Sequence, residues 1–372
     1  MEQLKTYLEQ VVKDQASDLF IVAGSPVCEK CNGRFLYFQG GELVKTPREG
    51  EMLLPKETEA LIREIYRESG RSIQRFLDQG DDDFAVSLPN LARFRVNVYR
   101  QRNSMAAVLR IVAYGVPDPG EKSIPEGVMQ VADLPNGLVL FTGPAGSGKS
   151  TTQACIIDRI NQDPGKSYHI ITLEDPIEYL HRNNYSIVSQ REIGLDAHDY
   201  QTGLRACLRQ APDVILLGEM RDQETIRTVM TAAETGHLVI ATLHTSSAVN
   251  AVDRIVDTFP GDQQPQIRMQ LSSVLKSVIA QRLLQGVDGQ LVPAFEIMNT
   301  NPAVKTMIRD SKTHQLNNAI ATGKADGMIT MERYIQELYR AGKIDRRTAE
   351  EAVEKEGEKQ MKDALDAIDR GR

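Results

Sequence analysis

The stretch Gly143-Pro-Ala-Gly-Ser-Gly-Lys-Ser150 constrains this chain more than any other. It fits the pattern G-x-x-x-x-G-K-[ST]. Before it stands an apolar run, Gly137-Leu-Val-Leu-Phe-Thr142, which reads as a buried strand; after it, Ser150 to Asn161 reads as a helix. Strand, glycine loop and helix N-terminus, in that order, make a cradle for phosphate. The glycines let successive N–H groups curl around the oxygens with no Cβ in the way, and the first helical turn offers unpaired donors. Gly143, Pro144, Ala145, Gly146, Ser147, Gly148, Lys149, Ser150 and Thr151 are therefore the candidate nucleotide-binding residues. Lys149 is expected at the β- and γ-phosphates of ATP, and the Ser150 hydroxyl on Mg²⁺. The competing reading is a glycine-rich turn before an ordinary helix, and the flanking strand argues against it.

At 372 residues, two domains are expected. Hydrophobic content of 41% is ample for real cores, and charged content of 26% is ordinary for a soluble protein. No apolar run approaches the roughly 18 residues of a membrane span. The start, Met1-Glu-Gln-Leu-Lys5, lacks the apolar run of a signal peptide. A cytoplasmic location is expected, with peripheral membrane docking left open. The net charge of −7 argues against a general nucleic-acid coat, so no nucleic-acid partner is expected, although it does not exclude a local basic pore. Cys28-Glu-Lys-Cys31 is a lone C-x-x-C with no second pair to complete a structural zinc site. Cys155 and Cys207 fall on expected buried helix faces and read as packing residues.

The first third of the chain reads as a small α+β domain. A helix is expected over about 1–14, strands over 18–23 and 34–39, and a helix opened by Pro55 running to about Ser69. A hairpin follows from Asp83–Leu88 and Leu91–Arg100 around Pro89-Asn90, and then a strand from Met105 to Val112. Residues 114–125 hold three prolines and two glycines and read as a linker. Beyond it, Leu138–Thr142, His169–Leu173, Val214–Leu217 and Leu238–Thr242 are largely apolar runs followed by polar or acidic residues. That predicts a parallel sheet with helices on both faces and chemistry at the strand carboxyl ends. Past about residue 299 the chain reads as helical, and the charge-dense tail 346–372 as a solvated helix.

Hydrolysis needs a metal ligand and a group that orients or deprotonates water. Glu174-Asp175-Pro-Ile-Glu178 follows one strand and Glu219 follows another, the usual placement of acidic partners to a P-loop. Solvated loop acids are the plainer alternative, stronger for Glu178 alone than for Glu219. His237 and His244 flank one strand, so they lie at its opposite ends; His244 is at the phosphate end, while His237 is structural or part of a subunit contact. Arg93, Arg95, Arg100, Arg102 and Arg110 crowd the last strands of the first domain, with Arg93 and Arg95 on one face. That face is either plainly solvated or a source of cations for the phosphates.

In this order the motifs resemble those of the secretion ATPase superfamily, and within it the retraction motors of type IV pili. The resemblance runs from Ala16 to about Ile344. It rests on Gly143–Ser150 (Walker A), Ile171–Glu178 (Asp box), Val214–Asp222 (Walker B) and Thr235–Ser247 (His box), with Ala16-Ser-Asp-Leu19 at the start. It implies an α/β chain with a PAS-like α+β domain over 1–113, a linker over 114–125 and a RecA-like P-loop ATPase domain with a helical C-terminal region over 126–372. It implies a homo-hexamer with nucleotide bound between the two domains and near a neighbouring subunit. Glu178 is then the catalytic glutamate that polarises water, and Glu219 supports Mg²⁺ and its waters. Arg95 and Arg110 approach the nucleotide from the first domain. Glu174 and Asp175 of the Asp box are accessory, and Arg254 with His237 and His244 of the His box completes or senses the site at the subunit boundary. The implied partner is a pilus inner-membrane platform protein, with room for a second retraction ATPase. The implied place is the cytoplasmic face of the inner membrane.

Assembly ATPases of the superfamily carry a tetracysteine insert that this chain lacks. Retraction ATPases carry Ala-Ile-Arg-Asn-Leu-Ile-Arg-Glu, matched here by Ala303-Val-Lys-Thr-Met-Ile-Arg-Asp310 with Lys305 and Asp310 substituted. Cys28 and Cys31 stand where the family usually has a Pro-rich, basic stretch. Two alternatives stay open: a pilus-assembly or type II secretion ATPase, and a RecA-like DNA motor.

Overall fold

A computed structural model describes every residue except 1, 32, 41, 89–90, 113–114, 354–357 and 371–372. Two compact units emerge, residues 1–115 with 178–180 and residues 116–177 with 181–372.

In the first unit, helix α1 (Glu2–Lys13) leads into strands β1 (Asp18–Ile21), β2 (Cys28–Cys31), β3 (Arg34–Gln39) and β4 (Glu42–Val44). Helices α2 (Pro55–Ser69) and α3 (Gln74–Gln79) follow, then β5 (Asp81–Leu88), β6 (Ala92–Gln101) and β7 (Ser104–Val112). The strands form one antiparallel sheet in the order β4-β3-β2-β1-β7-β6-β5. Period-two alternation sets its faces: Phe94, Val96 and Val98 of β6 are buried while Arg95 is exposed. Leu4, Leu8 and Val11 of α1 and Leu61, Ile62 and Ile65 of α2 join that buried face. Pro55 occupies the first turn of α2, and Glu57 reaches back to accept from the Leu54 N–H at 2.6 Å, so the helix start is fixed locally. The expected turn at Pro89-Asn90 lies outside the described residues. Strand β2 is an addition to the sequence reading. Being three residues apart on a strand, its Cys28 and Cys31 point to opposite faces and cannot share a metal.

The second unit begins with the short helix α4 (Glu126–Met129) and strand β8 (Gly137–Thr142). It continues through α5 (Lys149–Gln162), β9 (His169–Glu174), β10 (Ile187–Glu192), α6 (Tyr200–Cys207), β11 (Val214–Leu217), α7 (Gln223–Glu234) and β12 (Leu238–Leu243). Helices α8 (Ala248–Asp257) and α9 (Gln264–Val274) precede the hairpin β13 (Leu275–Gln285) and β14 (Leu291–Asn299). Helices α10 (Pro302–Arg309), α11 (Leu316–Thr322), α12 (Met331–Arg340), α13 (Arg346–Glu351) and α14 (Glu358–Arg370) close the chain.

The sheet order is β10-β9-β11-β12-β8-β13-β14, parallel except for β14. Every residue of β8, β11 and β12 is buried, as strands covered on both faces require. On one face Val139, Phe141 and Ile240 pack against Ile156, Ile157 and Ile160 of α5. On the other, Leu138, Leu140, Val239 and Ala241 pack against α6 to α9. Strand β10 and the β13–β14 hairpin were not anticipated from sequence.

The tail corrects an expectation. Its described residues hold two helices, and α14 is not simply solvated: Met361, Leu365 and Ile368 are buried with Ile335 and Leu338 of α12. No helix among the described residues is long and apolar enough to cross a membrane.

Candidate nucleotide site

Because β8, β9, β11 and β12 are parallel, the loops leaving their carboxyl ends share one edge of the sheet. That edge carries Gly143, Glu174 at the end of β9 with Asp175 after it, Glu219 and His244 in turn. His237 precedes β12 and lies at the opposite edge. Its carbonyl accepts from the Gly137 N–H at 3.0 Å, and its ring meets the Ala232 carbonyl at 2.9 Å. Through these bonds it meets none of the other candidates and ties β12 to β8 and α7.

The Gly143–Ser150 loop turns into α5, capped by Gly148 in the left-handed region (φ 85°). Gly143 takes φ 145°, and a Cβ there would stand 2.3 Å from the Gln281 carbonyl oxygen. Only glycine fits there. Lys149 is buried at 7% exposure. Its ammonium donates to the carbonyls of Gly143 and Pro144, both at 2.8 Å, so the charge is held inside the curl of the loop. Pro144, Ala145 and Gly146 are exposed, Ser147 is buried, and Ser150 and Thr151 are half-buried in the first turn of α5. The rim is tied by threonines. Thr142 Oγ1 donates to the Thr245 carbonyl at 2.6 Å and accepts from the Thr245 N–H at 2.9 Å, and Gln153 Nε2 donates to Thr242 Oγ1 at 2.9 Å.

Glu219 leaves β11 with a half-buried carboxylate. Arg221 pairs with it at 2.7 Å, and His244 Nε2 stands 3.4 Å away. The hydrogen bond from Arg221 holds the Glu219 carboxyl below its usual range, against the opposing effect of burial. The arrangement rests on Gly218. A Cβ there would meet Tyr200 Oη at 2.7 Å and the Leu173 carbonyl at 3.1 Å, so glycine lets β11 end hard against β9. Burial, then the charges of Asp175 and Glu219, push the Tyr200 phenol up.

At the end of β9, Glu174 accepts from Thr172 Oγ1 at 2.7 Å and Gln190 Nε2 at 3.2 Å. Asp175 is exposed and precedes a cis peptide bond to Pro176. Buried Glu192 accepts from the Ile177 N–H at 3.2 Å, which fixes the backbone immediately before the exposed Glu178. Arg95 and Arg110 face each other across β6 and β7 in the first unit, and Arg110 pairs with Asp18 at 2.9 Å. Arg254 stands exposed in the last turn of α8. Sequence reasoning missed Gln281, Tyr200, Arg221 and Glu192. Only Arg221, two residues from Glu219, had a local signal.

The description of the family whose model matches residues 69–372 is type II/IV secretion system protein. The chain belongs to that family. A relative, the type IV pilus retraction ATPase PilT of Pseudomonas aeruginosa, is 42% identical over 340 residues, spanning 91% of this chain and 94% of that one. A twitching motility protein of Neisseria gonorrhoeae is 47% identical over 263 residues, 70% of each chain. Among solved structures, the pilus retraction motor PilT with bound ADP superposes with a TM-score of 0.81 at 40% identity, covering 93% of this chain and 96% of that one. The Legionella pneumophila ATPase DotB superposes with a TM-score of 0.76 at 26% identity, over 94% of this chain and 93% of that one. The fold is thus RecA-like α/β preceded by a small α+β domain, as the motifs implied.

Proposed function

We propose that this chain is an ATP-hydrolysing motor that retracts type IV pili and so drives twitching. The observation that carries the reading is the single sheet edge that gathers the Lys149 loop, Glu219 and His244. Support for retraction over type II secretion comes from coverage. The chain matches P. aeruginosa PilT along 94% of its length, whereas type II secretion E proteins match over only 26% to 37% of theirs.

In this mechanism the loop N–H groups and Lys149 bind the ATP phosphates, and Lys149 exchanges its loop carbonyls for phosphate oxygens. The Ser150 hydroxyl and the ionised Glu219 are oxygen donors suited to Mg²⁺, which binds through few protein ligands plus phosphate and water. Mg²⁺ when bound supplies neutralisation of phosphate charge. Glu178 orients and deprotonates the attacking water, with Glu174 and Asp175 shaping its loop. Arg95, Arg110, Arg254 and His244 complete the charge balance, and His237 stays structural.

We assign the PAS-like domain to 1–113, the linker to 114–125 and the ATPase domain to 126–372. The working form is a homo-hexamer on the cytoplasmic face of the inner membrane, acting on a platform protein, alone or with a second retraction ATPase. Glu178→Gln tests the chemistry: phosphate release should fall by about 10²-fold or more while ADP binding by calorimetry is retained. Full turnover in that variant would remove Glu178 from the water-activating role.

A further inference from the structure

Strand β13 runs beside β8, pairing Ala280 with Thr142, and continues past it where the phosphate loop begins. The next residue, Gln281, is 2% exposed. Its backbone carbonyl closes on Gly143 at the loop's entry, within 2.3 Å of where a Cβ would sit. Its side chain spans to the loop's exit: Nε2 lies 2.8 Å from the would-be Cβ of Gly148, and Oε1 accepts from Thr152 Oγ1 of α5 at 2.9 Å. One residue from a strand far along the chain thus touches both ends of the loop. A Gln–Thr hydrogen bond sealed from water fixes the first turn of α5, whose N–H groups and Ser150 are the ones assigned above to the phosphates.

We propose that Gln281 is a positioning residue for the nucleotide: it sets the spacing between the entry of the phosphate loop and the first turn of α5. This rests on reading the loop as a nucleotide site. The opposite face of β13 extends the argument. Ala280 and Leu284, which flank Gln281, pack with Met331, Ile335 and Leu338 of α12 and Leu365 of α14. Gln281 therefore stands where the C-terminal helices and the phosphate loop grip one strand from its two sides.

The test is a cycle of Gln281→Met, Thr152→Val and the double variant, read by binding of a fluorescent ADP analogue and by melting without nucleotide. Methionine keeps the volume and removes both polar atoms, but it leaves the Thr152 hydroxyl buried without its partner. The single variants should therefore melt lower, and the double variant should recover part of that loss because no orphaned polar atom remains. ADP affinity should fall about tenfold in each single variant and stay low in the double one, since the brace is gone in all three. A purely structural role predicts instead that affinity returns with the melting temperature, and that result would overturn the proposal. So would variants that bind ADP as the parent does. If the parent itself fails to bind ADP, it is the nucleotide reading that falls, and the two failures are distinguishable.

Discussion

At the scale of single residues, the phosphate loop was legible because its chemistry forces both composition and spacing. Gly143 and Gly148 cannot carry a Cβ, and Lys149 must reach back over its own loop. Glu219 was legible by its place after an apolar strand. Gln281 and Tyr200 were not, because what they touch lies 129 residues away for Gln281 and Thr152, and across two strand ends for Tyr200 and Gly218. Glu29 was equally silent. It follows Cys28 in β2, is fully buried, and neither carboxylate oxygen has a hydrogen-bond partner. Burial, then the nearby Asp14 charge, push its carboxyl up to about 7 from an ordinary 4.5. The unfolded chain therefore releases this proton at lower pH than the folded one. Its contribution to stability is full below about pH 4.5 and is lost as pH rises toward 7, a change on the order of 2–3 kcal/mol. Glu29→Gln should abolish that part of the slope. The difference in unfolding free energy between parent and variant, measured by denaturant titration at pH 5 and pH 8, should shift toward the variant at pH 8. An unchanged slope would show that Glu29 does not titrate there.

At the scale of elements, the strands of the parallel sheet were readable as apolar runs, and their carboxyl-end loops as the place for chemistry. The β13–β14 hairpin was not, because its alternation is masked where both faces are covered: Val278, Ile279 and Ala280 are consecutive and all buried. The tail misled for the opposite reason. Its charges are real, and Arg346 pairs with Glu350, Asp366 and Asp369, but they flank a narrow apolar stripe of Met361, Leu365 and Ile368. Leu365 is fully buried, so Leu365→Ala should lower stability by about 2–4 kcal/mol, the usual cost of a core truncation. Charge changes on exposed Lys359 or Lys362 should cost under about 0.5 kcal/mol. Equal effects in the two classes, by thermal or denaturant unfolding, would return α14 to a solvated helix. A second long-range link joins elements in the same region. Buried Glu296 of β14 accepts from the Ala248 N–H at 2.7 Å, which anchors the start of α8 just after His244.

At the scale of the whole molecule, the chain holds two sheets of different kind. The antiparallel sheet sets Arg95 of β6 opposite Arg110 of β7, and the parallel sheet carries the Gly143–Ser150 loop, Glu174 and Glu219 along one edge. A lone P-loop says only that nucleotide binds. The sheet order brings Glu219, just past β11, to the same edge, and the match over 91% of this chain to a pilus retraction ATPase supports the work that hydrolysis is proposed to do. The most direct measurement of that claim is deletion of the gene in its own organism, with surface pili counted by electron microscopy and twitching scored on agar, and complementation by the parent or by Lys149→Ala. The account predicts excess, non-retracting pili and no twitching, restored by the parent and not by Lys149→Ala. Bald cells would assign the chain to assembly, and unchanged piliation and motility would contradict a role in pili altogether.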